Sequence, residues 1–140
     1  MRFRNRKMYA DEVRLGDLVS SCNYGRGVVR AVLEDGQVLV DNGIKCSWVF
    51  PIKVNPIRIV KTMLILNGFK QAECNKEGCF EQHFIDSSYV SLFPMLDEKH
   101  YFVEIENHSA NRYFKGCMMY VHELQHQLKE CQIDLELKLK

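Results

Sequence analysis

The chain has 140 residues, 46% of them apolar, with 19 Lys and Arg against 18 Asp and Glu. This length and apolar content suit one domain or two very small ones with a hydrophobic core, so a mainly disordered chain is excluded. The net charge of +1 favours neither a generic nucleic-acid binder nor an acidic mimic of a binding partner.

The sequence predicts a cytoplasmic protein with no membrane partner. No apolar run reaches the roughly 18 to 20 residues that a membrane-spanning helix needs. The basic start is not followed by the apolar stretch of a secretory signal. In that compartment the six cysteines should be mostly reduced, and the absence of a Cys-x-x-Cys pair gives no reason to expect a cofactor.

The charge is distributed unevenly along the chain. Residues 1–61 carry eleven Lys and Arg and six Asp and Glu, whereas residues 62–140 carry eight and twelve. Residues 1–12 form a basic N-terminal arm that contains Arg2, Arg4, Arg6 and Lys7. Such an arm is either a solvated tail or a segment that lies on phosphates or on an acidic neighbour.

Between residues 13 and 52, short apolar runs alternate with turn residues, a pattern typical of closely spaced strands. Asp35-Gly36 and Asn42-Gly43 are hairpin signals, because a type I′ turn requires the positive φ that these residues tolerate. Four or five strands in about forty residues can curl into a small barrel but cannot form a large flat sheet. We therefore predict an SH3-like β-barrel over 13–52.

The remaining chain, residues 55–140, is predicted to form an α+β unit. Asn55 and Pro56 are good helix starters and predict a helix over 57–67, which ends at Asn67-Gly68. Two consecutive hairpins, or a four-stranded antiparallel meander, follow it. Helical periodicity returns over 116–131. The pattern places these side chains in the core of the two units: Val29, Val38, Val40, Val60, Leu64, Tyr120, Leu124, Leu128 and Leu135.

The last residues alternate between apolar and charged side chains, with Ile133, Leu135, Leu137 and Leu139 on one side. This alternation predicts a half-buried strand over 132–139. The strand would pair with the meander or with the same strand of another protomer. We expect a homo-oligomer, because strand exchange would enclose a small ligand within so short a chain.

Three segments in this order resemble a group of small, largely uncharacterised proteins from Bacteroides-type bacteria and their phages and mobile elements. The segments are Leu15-Gly16-Asp17-Leu18-Val19, Asn67-Gly68-Phe69 and Tyr120-Val121-His122-Glu123-Leu124-Gln125. The likeness spans roughly residues 13–128. It implies a phage or mobile-element context and the layout of a barrel followed by an α+β unit, and it carries over no catalytic residue.

His122-Glu123-Leu124-Gln125-His126 matches the H-E-x-x-H pattern of zinc hydrolases. On a helix, His122 and His126 project together and can share one zinc ion, while Glu123 can polarise a metal-bound water. Against this interpretation, both histidines are predicted to point away from the apolar helix face around Leu124. Few residues follow that could add a ligand, and their carboxylates are Glu130, Asp134 and Glu136. A solvated polar face is therefore favoured over a metal site.

Residues 107–115 combine polar donors with aromatic rings, which suits a ligand carrying a phosphate and a base. An ordinary polar connection into the last helix explains the same composition. Gly25-Arg26-Gly27 is a second anion-binding candidate, because small residues let backbone amides approach an anion. The candidate ligand-binding residues are Tyr24, Arg26, Trp48, Asn107, His108, Asn111, Arg112 and Tyr113.

No credible catalytic constellation is present in the sequence, which favours a binding protein over an enzyme. The first hypothesis is a phage-type protein that sequesters a small nucleotide-derived signal of host defence. The second is an adaptor that binds nucleic acid or protein through the basic half of the chain. Its candidate residues are Tyr24, Arg26, Arg30, Lys45 and Trp48. A zinc-dependent hydrolase is the third hypothesis.

Overall fold

A computed structural model describes residues 12–21, 25–50, 54–72 and 78–139 of the chain. The chain divides into two compact units, residues 1–57 and 58–140. Each unit contains one antiparallel five-stranded sheet, and both helices belong to the second unit. This mostly β architecture agrees with the predicted α+β class. The predicted arm lies outside the described residues except for Glu12.

The first sheet has the strand order β4-β3-β2-β1-β5. Its strands are Leu18–Ser21 (β1), Gly25–Val32 (β2), Val38–Asp41 (β3), Cys46–Val49 (β4) and Val54–Pro56 (β5). Both predicted hairpin turns are present, between β2 and β3 and between β3 and β4. Gly36 and Gly43 occupy them with a φ of 90°, a conformation that costs glycine little because it has no Cβ.

Valine side chains fill the core of the first unit: Val13, Val19, Val29, Val38, Val40, Val49 and Val54. They alternate along the strands with exposed or half-buried positions, as a sheet with one covered face requires. Among the described residues the sheet ends at β4 on one side and at β5 on the other. The predicted closed barrel is therefore not what the described strands form.

The predicted helix over 57–67 is mostly wrong. Residues 54–56 form β5, which pairs with β1, and the helix α1 is confined to Lys61–Leu66. Pro56 is tolerated because an edge strand can do without one backbone donor. Arg58 bridges Tyr120, and the Ile59 amide donates to the Met119 carbonyl at 2.9 Å. These long-range bonds hold residues 58 and 59 extended, and only the predicted end at Asn67-Gly68 is confirmed.

The second sheet is a meander with the order β10-β9-β8-β7-β6. Its strands are Lys70–Gln71 (β6), Phe80–His83 (β7), Tyr89–Pro94 (β8), Tyr101–Asn107 (β9) and Arg112–Met118 (β10). Both predicted hairpins are confirmed. The strand β10 was missed, since residues 112–115 were assigned to a loop and residues 116–118 to the last helix. That helix, α2, spans Val121–Glu130.

Helix α2 buries Val121, His122, Leu124 and Leu128. The prediction that His122 points away from the core is wrong, because this side chain is only 1% exposed. Six of the nine predicted core residues are buried. Val60 is instead 46% exposed, since it precedes the shortened helix, and Tyr120 and Leu135 are half-buried.

The predicted strand over 132–139 is also wrong, because these residues form no strand and pair with none in the described chain. Ile133 and Leu137 are nevertheless buried. The alternating pattern therefore predicts which side of the segment is buried, although the segment is not part of a sheet. The homo-oligomer prediction loses the strand on which it was based.

Neither helix of the described ranges could span a membrane.

Candidate ligand-binding cleft

A cleft of about 280 Å³ lies in the second unit, where β9 turns into β10. Its walls come from β8, β9, β10 and the turn between the last two strands, from Tyr89 to Lys115. Along β9 the side chains of Val103 and Ile105 are buried, whereas those of Glu104 and Glu106 are half-buried. Because successive side chains of a strand point to opposite faces, the cleft side chains of β9 lie on the face opposite this buried row.

Cross-strand pairing sets the order of polar groups in the cleft. Glu106 of β9 lies opposite Tyr89 on one neighbouring strand and Tyr113 on the other. Directly opposed side chains have Cβ atoms about 4.5 to 5.5 Å apart, so the Glu106 carboxylate stands between two phenol rings.

The next row of the same face contains Glu104, which lies opposite Ser91 and Lys115. Its Oε2 atom accepts a long hydrogen bond of 3.5 Å from the Tyr89 hydroxyl. The two carboxylates therefore have different neighbours: a lysine faces Glu104, while only tyrosines face Glu106 across the strands.

The phenol of Tyr89 is held in its protonated form. Burial raises the pKa of Tyr89, and the hydrogen bond and negative charge of Glu106, together with Glu104, raise it further. A neutral phenol is a hydrogen-bond donor, and here it donates toward the carboxylates at the floor of the cleft.

Arg112 and Lys115 of β10 lie on opposite faces of the sheet. Lys115 lies opposite Glu104 and shares the cleft face with it, whereas Arg112 lies opposite Asn107, on the face of the buried row. Arg112 Nη1 donates to the Glu130 carbonyl at the end of α2 at 3.1 Å. His108 Nε2 lies 3.4 Å from Glu106 Oε1. The cleft thus combines two carboxylates with Lys115 and His108, so it suits a ligand with both anionic and hydrogen-bond-donating parts.

The turn that carries His108 and Asn111 is anchored from the neighbouring β7–β8 turn. Ser109 Oγ donates to Asp86 Oδ2, and Asp86 Oδ1 accepts from the Ser88 amide at 3.0 Å. The His108 amide donates to Ser88 Oγ at 2.9 Å. Asn111 has a φ of 52°, a left-handed conformation that asparagine adopts more readily than most residues. These bonds give the cleft a defined rim.

Asn107 has a structural role in this turn. Its Nδ2 donates to the carbonyls of Cys131 and Gln132 at 2.8 and 3.0 Å, and its Oδ1 accepts from the Ala110 amide at 3.2 Å. The side chain is buried. Asn107 therefore shapes the cleft by joining the turn to the end of α2.

The structure brings five sequence-predicted site residues to this cleft: Asn107, His108, Asn111, Arg112 and Tyr113. Arg26 and Trp48 belong to the first unit, where both are exposed. Tyr24 lies outside the described residues. Sequence reasoning missed Tyr89, Glu104, Glu106 and Lys115. The alternation of acidic and apolar residues in β9 placed Glu104 and Glu106 on one face, but only the register shows which residues they meet.

The H-E-x-x-H pattern forms a helix start. The Met119 and Tyr120 amides donate to Glu123 Oε1 at 3.3 and 3.1 Å, which satisfies backbone donors at the N-terminus of α2. The His122 ring stacks on Tyr120 with centroids 5.9 Å apart and contacts His126 edge-on at 5.5 Å. Within the described ranges, no group of three His, Cys, Asp or Glu side chains is placed to hold a metal ion.

Comparisons of the chain with protein-family models, curated proteins and solved structures find no match. The functional argument therefore rests on the chemistry of the cleft. Its central feature is the row Tyr89, Glu106 and Tyr113, with Glu104 and Lys115 in the next row of the same face.

Proposed function

We propose that the protein is a non-enzymatic binding protein that holds a small nucleotide-type ligand in this cleft. In a phage or mobile-element setting, such binding would sequester a nucleotide-derived signal of host defence. The observation that carries the proposal is the pairing of tyrosine rings and carboxylates with Lys115 in one cleft of about 280 Å³.

Each part of a nucleotide has a chemical counterpart in the cleft. The Tyr113 ring is 77% exposed and offers a stacking surface for a base. Lys115 supplies a charged donor for phosphate oxygens, and the His108 imidazole can add a second donor. Glu104 and Glu106 are acceptors for the hydroxyl groups of a sugar or the amino group of a base. The cleft therefore suits a polar ligand with an aromatic ring better than an apolar one.

The proposal assigns binding without turnover. We accordingly expect a bound nucleotide to be recovered unchanged.

Three further features belong to this proposal. We place the protein in the cytoplasm, a location that the free thiols of Cys46, Cys117 and Cys131 support. We assign an SH3-like topology to the first unit. Two features support this assignment: the strands β1 to β4 form a meander whose first strand also pairs with β5, and a bulge lies between Val29 and Ala31. We also propose a homo-oligomer, which a mass measurement in solution tests directly.

Calorimetric titration with adenine and guanine nucleotides tests the proposed function. We expect binding to the wild type, weaker binding to Lys115→Gln and Tyr113→Ala, and retained binding to Tyr113→Phe, which keeps the ring. Lys70→Gln is the matched control for the lysine, because β6 lies at the opposite edge of the same sheet. Chromatography of the ligand before and after incubation should show no product. Absence of binding to every nucleotide at millimolar concentration would overturn the proposal.

The adaptor hypothesis is a second candidate, favoured by one observation in the first unit. Trp48 and Phe50 are both exposed, two residues apart on or beside the edge strand β4. A basic side chain of the same unit is that of Arg30 on β2, whose Nε lies 3.3 Å from Asp41 Oδ2. Exposed aromatic rings can stack on unpaired bases, and phosphate contacts make such binding fall steeply with salt. Titration with single-stranded oligonucleotides at 50 and 200 mM salt tests this; equal or absent binding would exclude it.

A further inference from the structure

We infer that Glu106 makes the cleft selective for ribonucleoside monophosphates, by accepting hydrogen bonds from the two ribose hydroxyls. The inference rests on the proposed function and names its ligand class. It follows from the position of Glu106 between Tyr89 and Tyr113, from the charges of the cleft and from its volume.

Glu106 is the carboxylate best placed to meet a ligand. Its side chain is 41% exposed, its cross-strand neighbours are two tyrosines, and His108 Nε2 lies 3.4 Å from its Oε1 atom. Glu104 differs, because Lys115 lies directly opposite it. An ionised carboxylate only accepts hydrogen bonds, so Glu106 selects for a ligand that presents donors.

A ribose diol presents two adjacent donors that a carboxylate can take with its two oxygens. Acidic side chains recognise ribose hydroxyls in this way in dinucleotide-binding folds. In a nucleoside the sugar is attached to the base. A base stacked on Tyr113 therefore places its ribose beside the next residue of the cross-strand row. That residue is Glu106.

Charge limits the ligand to few phosphates. The cleft face of the sheet carries Glu104 and Glu106 with one lysine, Lys115, because Arg112 lies on the other face. Lys115 can hold one phosphate, whereas a triphosphate would bring uncompensated negative charge close to the carboxylates. A volume of about 280 Å³ lies at the lower end for small-molecule sites, which suits one nucleoside with a single phosphate.

Calorimetry with AMP, 2′-deoxy-AMP and ATP tests the inference on the wild-type protein. We expect AMP to bind about tenfold tighter than 2′-deoxy-AMP, because losing one hydrogen bond to a charged group has that effect on affinity. We also expect AMP to bind tighter than ATP, because the additional phosphates bring negative charge close to the carboxylates. Glu106→Gln should weaken AMP binding and bring the AMP and 2′-deoxy-AMP affinities together. Circular dichroism establishes whether the variant is folded.

Glu81→Gln is the matched control. Glu81 lies 3.5 Å from His83 and is 37% exposed, much as Glu106 lies beside His108, but it is on β7 outside the cleft lining. It should keep the wild-type ratio of affinities. Equal binding of the three nucleotides by the wild type, or an unchanged AMP preference in folded Glu106→Gln, would overturn the inference and leave the proposed function standing. No binding of any nucleotide would overturn both.

Discussion

The side-chain amide of Asn67 binds both backbone polar groups of Lys138, 71 positions later in the chain. Asn67 Nδ2 donates to the Lys138 carbonyl at 2.8 Å, and the Lys138 amide donates to Asn67 Oδ1 at 2.7 Å. The asparagine side chain thus takes the place of a neighbouring strand for the C-terminal segment. It also donates to the Met63 carbonyl at 2.8 Å, which links the segment to α1.

Replacing Asn67 by alanine should loosen the C-terminal segment. The side-chain hydrogen bonds to Lys138 and Met63 are partly solvated, and a net value near 1 kcal/mol for each sets the scale. We expect the free energy of unfolding to fall by about 1 to 2 kcal/mol, and the Lys138 amide to exchange its hydrogen faster. Gln71→Ala, at an exposed position nearby in sequence, is the control. Unchanged exchange at Lys138 would contradict the assigned bonds.

Leu124→Ala should strongly destabilise the protein, because Leu124 of α2 is fully buried. Truncation removes buried apolar atoms and leaves a cavity, for which about 2 to 5 kcal/mol is typical. Leu66→Ala removes the same atoms from a side chain that is 49% exposed, so it should cost much less. Denaturant unfolding of both variants measures the difference. Similar losses would mean that the burial of α2 is misassigned.

Glu123 should matter for the start of α2 and not for metal binding. Removing its carboxylate in Glu123→Ala leaves the Met119 and Tyr120 amides without that acceptor, which should cost about 1 kcal/mol. Glu123→Gln keeps a side-chain oxygen for the cap and should cost less. Stability should not respond to zinc or to a chelator. A large gain in melting temperature with zinc would revive the hydrolase hypothesis.

Acid should loosen the turn that carries His108. Hydrogen bonds from Ser109, and then from the side chain and backbone of Ser88, lower the pKa of Asp86 below its ordinary value. A lowered pKa means that Asp86 stabilises the fold above its unfolded pKa, near pH 4, and that this contribution is lost as pH falls through the folded value.

The melting temperature of the wild type should therefore fall more between pH 5 and pH 2 than that of Asp86→Asn. The same substitution at exposed Asp134 is the matched control, and it should follow the wild type. Parallel curves for the wild type and Asp86→Asn would show that the ionised carboxylate does not hold this turn.

Local signals located the turns correctly. Asp35-Gly36, Asn42-Gly43 and Asn67-Gly68 fall where the structure has turns, with a positive φ at each glycine. The steric freedom of one or two residues decides such a turn, so it can be inferred from those residues alone.

Two elements were assigned to the wrong structure because distant contacts overrode local preference. Residues 54–56 pair with β1 although Asn55 and Pro56 favour a helix start. Residues 133–139 alternate like a strand, yet the Lys138 backbone bonds to the Asn67 side chain and the Ile133 amide donates to the Leu128 carbonyl, neither of them in a sheet. Both outcomes depend on partners that lie far away in the sequence.

The sequence by itself determined that this is a β-rich chain with two helices, and that residues 107–113 combine donors with an aromatic ring. Only the tertiary structure decided that Glu106 lies between Tyr89 and Tyr113, and that His122 is buried. The physical reason is the range of the interactions. Backbone preference and side-chain alternation act over a few residues, whereas strand register and burial depend on which segments meet after the chain has closed its long loops.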